Sequence, residues 1–142
     1  MTATQDIRRA LEQRLNSGSY TGITNGTDIA WENTTFNPTG KSAWIRPRFT
    51  ITEIIPATAD ATQIERYTGI FYVDAFTKPN IGGTAVMDDL ADDIKAQFPK
   101  GTQISQNSRT INIRFSERGG IIHDEAWIYV PLTFTWYSYI SI

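Results

Sequence analysis

Four aspartates in two adjacent pairs, Asp88, Asp89, Asp92 and Asp93, follow a glycine-bearing turn in the stretch NIGGTAVMDDLADDI. A glycine-rich turn feeding a helix can hold phosphate, through free backbone N–H groups and the positive end of the helix dipole. Here the first-turn carboxylates already complement that dipole and repel an anion. The lysine of a phosphate loop and the third glycine of a dinucleotide fingerprint are both missing. The turn therefore reads as a connector from a strand to a helix, capped by Thr84 or Gly83. On that helix Asp88 stands with Asp92 and Asp89 with Asp93. A divalent cation would need further oxygen ligands, and no EF-hand loop is present. The stretch implies no metal site and no cofactor; it reads as a solvated acidic face or a contact for a basic neighbouring subunit.

His123 is the single histidine, in IIHDEAW beside Asp124 and Glu125. Nucleophilic catalysis needs a base, a nucleophile and an orienting group in reach of one another, and no nucleophile-elbow motif occurs. Asp74, Glu53 and Glu125 could work as general acid and base, but nothing in the sequence pairs them. No catalytic residue is expected, and the chain does not read as an enzyme. WIRPRF places Trp44, Arg46 and Arg48 on one strand face. Such a basic-aromatic patch can grip nucleic acid, keep an edge strand soluble, or meet an acidic partner. Arg46 and Arg48 meeting the Asp88/Asp92 stripe of a neighbour would make a head-to-tail contact that closes into a ring.

The elements that carry these residues follow from periodicity. TQDIRRALEQRLNSG predicts a helix, with Thr4 as cap, Ile7, Ala10, Leu11 and Leu15 inward and Gly18 as its stop. A short strand is expected around Ile29 to Glu32. SAWIRPRFTITEII alternates, with Ile45, Phe49 and Ile51 on one side, and Pro47 restricts it to an edge or a bulge. RYTGIFYVDAF is apolar on both faces and suits a central strand. The second helix carries Met87, Leu90, Ala91, Ile94 and Phe98 as its apolar stripe, and Pro99 and Gly101 end it. A long hairpin closes the chain, its turn at Arg118-Gly119-Gly120. Ile111, Ile113 and Phe115 point inward from its first strand, and Ile128 to Trp136 inward from its second. The expected fold is α+β: one mixed, mostly antiparallel sheet of four to five strands, with both helices on one face. The other face then shows Trp127, Tyr129, Thr133, Thr135, Tyr137 and Tyr139, an aromatic surface that suits a partner.

The 142 residues suit a single domain, 1–142, able to bury roughly 68–70% of the surface of the unfolded chain. With 40% hydrophobic and 20% charged residues and a formal net charge of −2, the chain gives no sign of a general nucleic-acid or membrane-surface binder. No cysteine is present, which excludes disulfides and thiolate sites. The N-terminus lacks the apolar region of a signal peptide, and no run approaches the ~18 residues of a membrane span.

The order of an N-terminal helix, IAWEN, WIRPRF, GIFYVDAFTKPNIGGTAVMDDLADDIKAQF, a hairpin and AWIYVPLTFTWYSY resembles the tail terminator (tail completion) proteins of long-tailed bacteriophages, lambda type. The stretch Gly69 to Phe98 carries the resemblance furthest. It implies a structural virion protein that forms a ring of six copies on the head-proximal end of the tail tube. The ring stops tube polymerisation and presents a surface to the head-completion protein. DNA passes through the lumen without specific binding, no membrane is involved, and assembly takes place in the host cytoplasm. A head-to-tail connector (neck protein) of the same virion is the alternative. A small enzyme using the carboxylates or His123, and a monomeric binding module using the aromatic face, are further ones. The expected contact residues are Trp44, Arg46, Arg48, Lys78, Asp88, Asp92, Tyr129 and Tyr137. The loops Pro56–Gln63 and Thr77–Gly83 are expected to reach neighbours or the tube.

Overall fold

The computed structural model describes residues 2–58, 63–79 and 84–141. Helix α1 spans Ala3–Asn16 and opens on a capping box. The Thr2 hydroxyl accepts from the Gln5 N–H, and the Gln5 side chain accepts from the Thr2 N–H. The cap is therefore Thr2, not Thr4, because only Thr2 has a glutamine three residues on to close the box. Ser17 rather than Gly18 takes the C-cap. Gly18 instead makes room for the Tyr20 ring, which a β-carbon there would strike. The Tyr20 hydroxyl donates to the Leu15 carbonyl. Helix α2 spans Ala85–Gln97, with Thr84 at its N-cap position but no hydroxyl cap bond. The alternative cap, Gly83, lies outside the described residues.

Strands β1 (Ala43–Pro56), β2 (Ile64–Thr77), β3 (Gln103–Gln106), β4 (Arg109–Arg118), β5 (Ile122–Asp124) and β6 (Trp127–Ser141) form one antiparallel sheet. Their order is β1-β2-β6-β4-β3, with β5 also on β6. The fold is α+β, with six strands where four to five were expected. Two strands were concealed in the sequence, the short β5 and, more deeply, β3. Its sequence QISQ carries one apolar residue, and it forms by pairing with β4 across the Asn107-Ser108 turn, both residues at positive φ. That two-residue turn is the local signal a hairpin needs.

The closing hairpin also turns elsewhere than expected. Gly119 donates to the Pro131 carbonyl, and β5 keeps pairing along β6, with Asp124 opposite Trp127. The reversal falls at Glu125, at φ 53°, and Ala126. The Ile29–Glu32 stretch is no strand; Ile29 makes a single parallel bridge to Ile45.

Both helices cover the same sheet face. Ile7, Leu11 and Leu15 of α1 join Met87, Leu90 and Ile94 of α2 over Phe71, Val73, Ile111, Ile113, Val130, Leu132, Phe134 and Trp136. These strand residues alternate as the pleat requires. Phe115 breaks the expectation that it joins them, and is 41% exposed. A bulge between Ile113 and Phe115 inserts Arg114 and turns every later β4 side chain to the opposite face. A second bulge interrupts β1 between Ile51 and Glu53. Both bulges border one cross-strand row, Ile51–Gly69–Trp136–Ile113, so the sheet bends along a single line.

Strand β1 is an edge strand, as Pro47 requires, and its outer side is closed from Ile45 to Phe49. The Ile45 N–H donates to the Asp28 carbonyl at 2.9 Å, and the Ala30 N–H to the Ile45 carbonyl at 2.7 Å. Pro47 has no N–H to offer. The Phe49 N–H donates to the Glu32 carboxylate.

Candidate interaction surface on the open face of the sheet

Directly opposed residues in an antiparallel pair share a face. The register therefore builds the helix-free face in rows: Trp44–Phe76–Tyr129, Arg46–Asp74–Pro131, Arg48–Tyr72–Thr133, Thr68–Tyr137 and Arg66–Tyr139. Five of the expected contact residues, Trp44, Arg46, Arg48, Tyr129 and Tyr137, thus share one surface.

This surface is better packed than its composition suggests. Trp44 stacks on Phe76 with centroids 3.9 Å apart, and Phe36 tilts against it at 5.1 Å. Trp127 meets Trp44 edge-on at 5.9 Å. Trp44 and Phe76 are buried, and of the aromatics expected in solvent on β6 only Tyr139 is exposed. The stretch after Glu32 through Gly40, expected to be turn residues, supplies the cover through Phe36. No periodic pattern marks such a lid in the sequence.

At the centre lies Asp74, 1% exposed. Its Oδ2 accepts from Arg46 at 2.9 Å and Arg48 at 3.3 Å, while Oδ1 has no partner among the described residues. The guanidinium of Arg46 lies over Phe76 and that of Arg48 over Tyr72, each 4.9 Å from the ring centroid. The two arginines therefore neutralise a buried carboxylate and roof two rings. They remain 40% and 49% exposed, leaving guanidinium donors for a partner. A lone carboxylate inside the apolar run GIFYVDAF, opposite an arginine-bearing strand, was the signal for this triad.

The acidic helix faces away from this surface. Asp88 and Asp92 of α2 bind Arg118 of β4, at 2.5 and 3.4 Å. Arg118 reaches them because the Arg114 bulge turns it to the helix side. Asp93 accepts from the N–H and hydroxyl of Thr21. Within one chain, Arg46 and Arg48 do not meet Asp88 and Asp92. Lys78 follows β2, half-buried, and its N–H donates to the Ser42 carbonyl. Of the two loops expected to reach neighbours, residues 59–62 and 80–83 lie outside the described residues.

The residues considered for catalysis lie apart. Asp74 sits in its arginine pair, Glu53 lies 3.7 Å from Arg66, and His123, Asp124 and Glu125 are exposed at the β5–β6 tip. Among the described residues no cluster of three or more His, Asp or Glu side chains could hold a metal. Among the described residues no helix is long and apolar enough to cross a membrane. Burial pushes Tyr20 up, and it raises Glu12 against the opposing charge of Arg8.

A family model described as phage tail terminator protein matches residues 6–136. The chain belongs to the phage tail terminator family. Its members are structural tail proteins, so this chain is a structural component of a phage-type tail. One solved structure, 22% identical, superposes with a TM-score of 0.76 over 100% of this chain and 99% of its own. A chain from the virion of a native gene transfer agent particle, 10% identical, gives 0.67 over 98% of each. At these identities the likeness is one of fold, and it covers the tail terminator from end to end. No curated protein sequence matches it.

Proposed function

We propose that this tail terminator forms a ring of six copies on the head-proximal end of the tail tube. The family match over residues 6–136 carries the reading. One ring face docks on the last tube ring and stops polymerisation; the other presents the surface for a head-completion protein. DNA passes through the lumen without specific binding, and assembly takes place in the host cytoplasm.

The placement of charge supports a contact between unlike surfaces. Arg46 and Arg48 lie on the open sheet face, with Trp44, Tyr129 and Tyr137 beside them. Asp88 and Asp92 lie on the helix side, and Asp92 is 71% exposed. A contact between unlike surfaces closes into a ring when its rotation closes. Several weak contacts acting together on the tube template hold a ring that is weak in solution.

Electron microscopy of tails made in a host lacking this gene tests the reading. Tubes of uncontrolled length are expected. Tails of normal length that fail to join heads would make the chain a head-to-tail connector instead, and complete infectious particles would overturn both. Charge reversal at Arg48 should impair assembly; an intact ring in that variant would remove the arginine contact.

A further inference from the structure

Below the line of the two bulges, the open face holds a cavity of about 290 Å³ lined by Arg66, Thr68, Arg114, Tyr137 and Tyr139. Its lining supplies guanidinium and phenol donors. The Arg66 Nε is buried without a hydrogen-bond partner among the described residues. Glu53 stands 3.7 Å from the Arg66 guanidinium, close enough for charge but too far to bond. Tyr139, edge-on to Tyr137 at 5.8 Å, is 55% exposed and forms a rim. A buried guanidinium nitrogen with no acceptor is costly unless an anion arrives. Two arginines and two tyrosine hydroxyls lining one cavity suit a carboxylate, which accepts two N–H bonds at once.

The chain carries a matching acidic projection. Asp124 and Glu125 are exposed at the β5–β6 reversal and form no salt bridge among the described residues. At roughly 3.3 Å per residue, β6 holds Trp127 at the tip and Tyr139 at the cavity about 40 Å apart. The tip therefore cannot fold back into its own cavity, but can enter that of another copy.

We propose that the Arg66–Arg114–Tyr137–Tyr139 cavity is the socket for the Asp124–Glu125 tip of a second copy, in a head-to-tail contact. This rests on the ring reading above and names the residues that would close it. Duplex DNA is the less favoured anion, because the chain carries a net charge of −2 and Glu53 flanks the socket.

The chain has no cysteine, so single introduced thiols report the contact directly. Glu125→Cys and Tyr139→Cys proteins are oxidised separately and as a mixture, beside sedimentation of the wild type at the same concentrations. The mixture is expected to give a disulfide-linked dimer that neither variant gives alone. Arg66→Ala with Arg114→Ala in the thiol background should lower its yield by about tenfold, the order for losing a charge-assisted pair. Wild type that sediments as a multimer without a mixed disulfide overturns the socket and leaves the ring. Wild type that stays monomeric at every concentration, with no mixed disulfide, overturns the socket; the ring then stands or falls on the tail experiment. Linkage in either variant alone would mean a two-fold contact and would also overturn it. So would duplex DNA binding that Arg66→Ala abolishes, if no mixed disulfide forms.

Discussion

Trp136 packs directly over Gly69, its cross-strand partner, so closely that a β-carbon on residue 69 would overlap its indole ring and the Thr50 carbonyl. The contact lies in the row bordered by both bulges. It lets Trp136 fill the core and stack on Phe49, with centroids 5.4 Å apart.

Gly69→Ala should therefore destabilise the fold by about 1–3 kcal/mol or somewhat more, the order of overpacking a core against groups that cannot yield. Urea unfolding followed by tryptophan fluorescence measures it. Stability within 0.5 kcal/mol of wild type, roughly the scatter of a surface change, would show that the bend is not fixed by this contact.

Asp6, fully buried in α1, is held by Arg109 and Asn107 at the β3–β4 turn. Arg109→Met should cost about 3–5 kcal/mol, because it strands a buried carboxylate. Asp6→Leu should cost less, since Arg109, 30% exposed, can still reach water. The double variant should be more stable than Arg109→Met alone, and a double-mutant cycle in urea gives the coupling.

Asp28 gives a pH-dependent expectation. Burial would raise its carboxyl, but hydrogen bonds from Lys41 and the Thr24 N–H outweigh burial and hold it below the ordinary 3.8. A depressed folded value adds stability that is complete above 3.8 and lost as pH falls through the lower folded value. Asp28→Asn should thus cost about 1–2 kcal/mol at neutral pH. The gap between thermal melts of the two proteins should begin to close as pH falls below 3.8 and vanish below the lower folded value. A gap that persists there would assign the loss to something other than charge.

Arg118 separates folding from assembly. Asp92, one of its partners, is largely exposed, so Arg118→Ala should change unfolding free energy by under about 1 kcal/mol. If the acidic stripe meets a neighbouring copy, freeing Asp88 and Asp92 should alter assembly on tubes while the melt stays in place. A change in both together would make the pair a fold element.

How much of this was legible depends on how local each cause is. The apolar stripes of both helices and the inward set Ile128 to Trp136 are written in short-range periodicity, and the edge character of β1 in the single residue Pro47. Phe115 was expected inward and Arg118 in the turn; both land elsewhere, because one inserted residue at Arg114 reverses the side of every later β4 residue and the strand runs on to Arg118. The β3 strand was hidden because long-range pairing, not composition, makes QISQ a strand. The arginines of WIRPRF were seen as a surface patch, whereas their tie to Asp74 spans 26 to 28 residues of sequence. Arg66 and Arg114, which line the socket, lie in separate strands and come together only through β6.

The closed outer side of β1 bears on handling the protein before assembly. An exposed strand edge is where soluble chains recruit one another into fibrils. Ile29, Pro47 and Glu32 occupy that edge from Ile45 to Phe49. Concentrated stocks should consequently stay clear and free of thioflavin-positive aggregate while segment 28–32 is seated. Loosening it with Glu32→Ala should shorten their shelf life well before the melting temperature moves far.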